Sequence, residues 1–228
     1  MGREPREVRL LAVSKTHPAA LVDEAYHAGQ AAFGENYVQE ALAKMTALAH
    51  RPLEWHMIGP LQSNKTRLVA ERFAWVQSVD REKIAQRLSA QRPAALPPLN
   101  VLLQVNVSGE ASKSGVDAGQ LAALAHAVAA LPRLRLRGLM AVPEPTRDAG
   151  QQRRRFRAMR EYYERLRAEG LALDTLSLGM SDDLEAAIAE GSTLVRIGTA
   201  IFGPRETSAP GSAAGASGHP DAAAADPT

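Results

Sequence analysis

The chain has 228 residues, 45% of them hydrophobic and 23% charged, with a formal charge of +2. This is an ordinary globular composition, long enough for one large domain or two small ones, and near charge balance it gives no reason to expect nucleic acid. No apolar run reaches membrane-spanning length, the start MGREPREVRL lacks a signal-peptide core, and zero cysteines exclude disulfides and thiolate chemistry, so a cytoplasmic protein is expected.

Short apolar runs alternate with helical stretches along the chain and predict eight strands, at 8–14, 31–34, 54–58, 74–79, 99–107, 134–142, 173–178 and 194–198. Seven helical stretches separate them. The clearest, 117–131, opens at Asp117 as an N-cap and repeats Leu121, Leu124, Val128 and Leu131 along one face before Pro132 stops it. A later one carries Arg153, Arg154, Arg155 and Arg157 on the face opposite Phe156, Met159, Tyr163 and Leu166. That pattern reads as a solvated helix face ahead of an RNA or phosphate patch. Gly29, Gly59, Gly138, Gly170 and Gly191 mark ends of elements. Eight strands with helices between them predict a single-domain (β/α)8 barrel over 1–206, with a doubly wound open sheet as the alternative. Residues 207–228 hold only small and polar residues with one histidine, and a disordered tail is expected there.

Lysine is scarce, five against 22 arginines, and one of the five, Lys15, closes the first strand. Unlike guanidinium, its amine can lose a proton and attack a carbonyl to form a Schiff base, although a solvated strand-end charge is the plainer role. In a (β/α)8 barrel functional groups gather at the C-terminal mouth, and phosphate is often held after strands 7 and 8. SLGMSDD at 177–183 offers Ser177, the flexible Gly179, Ser181 and a helix expected to start near Ser181. VRIGTAIFG at 195–203 offers Gly198 and Thr199 in the same way. A carbonyl-reactive lysine and a phosphate cup on opposite sides of one mouth suggest pyridoxal 5'-phosphate. The six histidines show no metal-ligand spacing, so no metal is expected.

Seven segments, LLAVSKTHP, FGENYVQE, WHMIGPLQSNK, QVNVSGEASKSG, GLMAVP, SLGMSDDLEAAI and VRIGTAIFG, occur in order between residues 8 and 203. Together they resemble the pyridoxal phosphate homeostasis protein family, also known as YggS or PROSC-like proteins. The resemblance implies a barrel of the alanine-racemase N-terminal type, with pyridoxal phosphate on Lys15 as an internal aldimine. It further implies phosphate contacts from Ser177, the Met180–Ser181 turn, Gly198 and Thr199, with Arg196 beside the pyridine nitrogen. Asn36 and His56 would lie near the cofactor, and Tyr37, Asn64, Lys65, Asn106, Lys113 and Met140 would line the mouth. An arginine cannot give up its proton, so a ring nitrogen facing it stays unprotonated and the ring is a weak electron sink. With only the tail expected after strand 8, no second domain brings a second base. A carrier or regulator of free cofactor is therefore expected, with a minimal amino-acid racemase as the alternative and a monomer that passes cofactor to apoenzymes as the working picture. Only MGREPRE precedes the first strand, less than the family carries there, so either translation is expected to begin upstream of Met1 or the bottom of the barrel to be less covered.

Overall fold

The computed structural model describes residues 3–107 and 114–204; Lys113 and the tail expected at 207–228 lie outside them. Eight parallel strands close into one barrel in sequence order: β1 (Arg9–Val13), β2 (Ala32–Glu35), β3 (Glu54–Met57), β4 (Trp75–Val79), β5 (Leu99–Gln104), β6 (Leu134–Met140), β7 (Thr175–Ser177) and β8 (Leu194–Ile197). Closure comes from β1 pairing with β8, Arg9 opposite Leu194 and Leu11 opposite Arg196. The open-sheet alternative is thereby excluded.

Around the barrel run α1 (Ala19–His27), α2 (Val38–Ala47), α3 (Thr66–Arg72), α4 (Glu82–Gln91), α5 (Ala118–Ala129), α6 (Ala149–Ala168), α7 (Leu184–Ala189) and the single turn α8 (Thr199–Phe202). Each longer helix presents an apolar stripe to the sheet. In α5 the stripe is Leu121, Leu124, Ala125 and Val128; in α6 it is Phe156, Met159, Tyr163 and Leu166. Both match the spacing of residues three and four apart that brings side chains to one helical face. Asp117 sits at the N-cap position of α5, but its side chain makes no capping hydrogen bond. The last helix before β8 begins at Leu184, not near Ser181, because 181–183 form a turn.

Strand alternation sends one set of side chains toward the helices and the other into the barrel. The large core lies between strands and helices, with Ala12, Phe33, Met57, Val76, Val79, Leu103, Leu139 and Leu176 meeting the helical stripes. Inside, two small apolar groups remain, Leu11 with Ala32 and Leu194, and Trp75 with Leu102 and Met140. The other interior positions include His56, Gln77, Ser177 and Arg196, all buried. Branched aliphatics dominate the usual barrel interior, so this polar filling marks the region where function is to be sought.

Two glycines allow backbones to touch. A Cβ at Gly138, where φ is +152°, would lie 1.7 Å from the Thr175 carbonyl oxygen on the neighbouring strand. A Cβ at Gly59 would lie 2.4 Å from the Asn36 carbonyl oxygen, where the loops after β2 and β3 meet at the mouth.

Candidate functional site at the barrel mouth

Lys15 lies two residues beyond β1, half-buried, in the turn that leads to α1. Its neighbour Thr16 has φ of +66°, a left-handed conformation costly for a side chain with a branched Cβ. The turn is held in that conformation from beneath. Thr16 N–H donates to Glu40 Oε1 at 2.6 Å, and the buried Ser14 hydroxyl donates to Glu35 Oε1 at 2.6 Å. Lys44, 4% exposed, donates to Ser14 O at 2.6 Å, Glu35 Oε1 at 2.7 Å and Glu40 Oε1 at 2.6 Å, which uses all three ammonium protons. Burial pushes the Glu35 carboxyl up, while the bonds from Lys44 and Ser14 pull it back down. Sequence reasoning missed this cluster. The Glu40–Lys44 spacing was visible, but such a pair ordinarily belongs to an exposed helix face.

The barrel's closure corrects one expectation. Lys15 and the strand-8 loop were placed on opposite sides of the mouth, yet β1 and β8 are neighbours, so the two loops are adjacent. His17 stacks on Phe202 of α8 with ring centroids 5.1 Å apart, and a Cβ at Gly198 would lie 3.1 Å from Val13 O. Gly198 precedes α8 and Thr199 is its first, exposed residue.

Arg196, on β8, is 4% exposed. Its Nη1 donates to Ser177 O and Ser177 Oγ, both at 2.7 Å, and its Nη2 donates to Ala141 O at 2.8 Å. Burial brings its pKa down to about 10, with the charge of Asp183 opposing, so it stays cationic at neutral pH. None of these three bonds goes to a carboxylate, so Arg196 is not the strand-end ion pair that its type would suggest. Ser177 is fully buried, and its hydroxyl also donates to Gln77 Oε1 at 2.7 Å. The hydroxyl expected on a phosphate is therefore spent inside the barrel, because the last residue of β7 falls on the inward side of the strand's alternation. His56, expected near the cofactor, is likewise turned into the barrel. Fully buried on β3, it stacks on Trp75 at 5.1 Å and bonds to Glu54 and Gln77, with no surface left to line the mouth.

In the loop after β7, Gly179 takes φ of +93°, and a Cβ there would meet Ala187 Cβ at 2.6 Å. Ser181 is exposed, whereas Met180 N–H already donates to Asp183 Oδ1 at 2.6 Å. Asp183 is drawn upward in pKa by burial and back down by that N–H and by Arg196. An arriving phosphate would have to compete with this carboxylate for the Met180 amide. A cavity of about 720 Å³ opens beside the turn, lined by Arg147, Gln152, Met180, Asp182 and Asp183, but Lys15, Arg196 and Thr199 stand outside its lining.

The remaining expected residues distribute around the rim. Asn36, half-buried, and Tyr37, 58% exposed, follow β2. Asn64 and Lys65 lie in a short 3-10 helix, Ser63–Lys65, after β3. Asn106 follows β5 and its N–H bonds to Val116 O at 3.0 Å, while Met140 is wholly buried at the end of β6.

A closed parallel barrel with a lysine after its first strand and a buried arginine on its last defines a protein class. The family model described as alanine racemase, N-terminal domain, matches residues 2–206. Curated relatives are more specific. A pyridoxal phosphate homeostasis protein of Pseudomonas aeruginosa is 66% identical over 92% of this chain and 90% of its own, and one of Escherichia coli is 59% identical over 91% and 90%. The chain belongs to the pyridoxal phosphate homeostasis protein family. PipY of Synechococcus elongatus, solved with pyridoxal phosphate bound, is 40% identical with a TM-score of 0.81, over 89% of this chain and 95% of that one. Alanine racemase of Corynebacterium glutamicum shares the fold at 18% identity and TM-score 0.72, this chain covering 57% of it.

Proposed function

We propose that this protein binds pyridoxal 5'-phosphate through Lys15 and serves the cell's cofactor supply as a carrier or buffer, not as a catalyst. The observation that carries the reading is the junction of the β1 and β8 loops. The turn that carries Lys15 after one strand adjoins Gly198 and Thr199 after the next, with a cationic arginine buried on that second strand. Pyridoxal phosphate supplies an aldehyde that condenses reversibly with a deprotonated amine. The donor set fits that group. Lys15 offers the amine, Thr199 and Ser181 offer exposed hydroxyls, and Arg196 is a donor that cannot become an acceptor at neutral pH.

Arg196 also argues for holding over turnover. A group that can only donate leaves a facing ring nitrogen as an acceptor, so it withholds the proton that a strong electron sink needs. The pyridoxal phosphate bound in PipY and the names of the curated relatives support the same reading. Delivery to apoenzymes, the cytoplasmic setting and a monomeric state belong to this proposal.

The test is reduction with borohydride after loading with pyridoxal phosphate, followed by peptide mapping. A pyridoxyl group is expected on the Lys15 peptide and absent from Lys15→Ala; an unmodified Lys15 peptide in the loaded protein overturns the reading. Sustained racemisation of amino acids that disappears in Lys15→Ala would replace the carrier with an enzyme.

A further inference from the structure

Beneath Arg196, a file of buried hydrogen bonds crosses the barrel toward its other end. Arg196 Nη1 donates to Ser177 Oγ at 2.7 Å, and Ser177 Oγ donates to Gln77 Oε1 at 2.7 Å. Gln77 Nε2 lies 2.9 Å from His56 Nδ1, and His56 Nε2 lies 2.6 Å from Glu54 Oε1. Arg9 Nη2 meets the same Glu54 oxygen at 2.7 Å. Ser177, Gln77 and His56 are fully buried, while Glu54 and Arg9 reach solvent at the N-terminal ends of the strands.

The two ends of this file dictate its direction. Arg196 can only donate, and an ionised Glu54 can only accept. Burial raises the Glu54 carboxyl, but the bond from His56 and the charge and hydrogen bond of Arg9 outweigh it and hold its pKa below the ordinary carboxylate value, so it is ionised at neutral pH. His56 must then carry its proton on Nε2 to reach Glu54, which leaves Nδ1 as an acceptor. Gln77 must turn its NH₂ to Nδ1 and its carbonyl to Ser177, and the Ser177 proton must point at Gln77. Ser177 then keeps a lone pair for Arg196. With burial keeping His56 neutral, every donor points from Arg196 toward Glu54, and one arrangement alone satisfies them all.

We propose that Gln77, His56 and Glu54 form a positioning relay that fixes the Ser177 hydroxyl as an acceptor and thereby holds the Arg196 guanidinium in one orientation at the mouth. None of the three was singled out by sequence as a partner of Arg196. An apolar residue at 77 would free the Ser177 proton to rotate toward Arg196, where it meets another donor. A carboxylate at 77 would accept from both sides and call a second proton onto His56, turning it into an imidazolium between two carboxylates. The consequence for pyridoxal phosphate rests on the function proposed above; the proton positions do not.

Two readouts test the relay. In protein labelled with ¹⁵N-histidine and free of cofactor, the His56 ring at about pH 7 is expected to be protonated at Nε2 alone, and at both nitrogens in Gln77→Glu. A wild-type ring protonated at Nδ1 overturns the relay; a Gln77→Glu ring left neutral is consistent with it only if the new carboxyl is itself protonated, and an ionised carboxylate at 77 beside a neutral ring overturns it. The second readout is a cycle of pyridoxal phosphate dissociation constants over wild type, Gln77→Leu, Arg196→Gln and the double variant. Gln77→Leu is expected to weaken binding about fivefold in the wild-type background and to add nothing in Arg196→Gln. Losses that simply multiply would mean that Gln77 acts by general packing, and the coupling would fall. Should the wild type bind no pyridoxal phosphate, the proposed function fails and the ring spectra still decide the relay.

Discussion

His56 occupies both ring nitrogens, one on Glu54 and one on Gln77, with Trp75 across its face. Burial lowers its pKa against the pull of Glu54, so the folded protein holds it neutral while the unfolded chain leaves it near the ordinary histidine value of 6.5. Below that value the unfolded state binds the extra proton, and stability falls as pH falls. Glu54 acts in a separate window. Its folded value lies under the ordinary 4.5, so its stabilisation is present above 4.5 and is lost as pH falls through the depressed value. Unfolding free energies from urea titrations between about pH 7 and about pH 5.5 are expected to decline in the wild type, by up to about 1.4 kcal/mol per pH unit. His56→Gln lowers stability throughout and flattens that decline; an equal decline in the variant would assign it to another group.

At the scale of elements, α2 supports the turn that carries Lys15. Lys44 draws Glu35, Glu40 and the Ser14 carbonyl to one point, and Glu40 in turn fixes the strained Thr16. Lys44→Met keeps the stem but leaves Glu35 buried without a counter-charge. A loss of about 3–5 kcal/mol in urea unfolding is expected, together with weaker pyridoxal phosphate binding as the turn relaxes. Unchanged stability would mean that Glu35 is already protonated in the fold. The arginine-rich helix α6 has a comparable structural duty. Arg153, Arg157 and Arg160 converge on the buried Glu190 after α7, while Arg154 pairs with Asp148 and Arg155 with Glu144. The solvated face read from the sequence is thus ion-paired, and it ties α6 to the end of α7.

At the scale of the whole molecule, barrel closure depends on one missing side chain between β6 and β7. Gly138 stands where any Cβ would enter the Thr175 carbonyl. Gly138→Ala must force the two strands apart or tear the register that pairs Gly138 with Thr175 and Met140 with Ser177. A loss of at least about 3 kcal/mol by urea unfolding is expected, and Arg196 should be disturbed too, since it is anchored on Ser177 and Ala141. Wild-type stability in that variant would show the ladder to be more compliant than its geometry. Among the described residues no helix is long and apolar enough to cross a membrane.

The sequence by itself determined the eight strands along the chain and the stripes of α5 and α6, because periodicities of 2 and 3.6 are local and one-dimensional. It also determined Lys15, Gly198 and Thr199 as mouth residues, since a barrel's loops follow its strand ends. Partners were beyond its reach. That β1 lies beside β8, that Ser177 and His56 face inward, that Lys44 is buried, and that Gln77 stands between His56 and Ser177 are contacts across 9 to 185 residues of chain. Only tertiary structure decided those, because a buried polar atom takes whichever partner closure brings within hydrogen-bonding distance, and no local pattern records that choice.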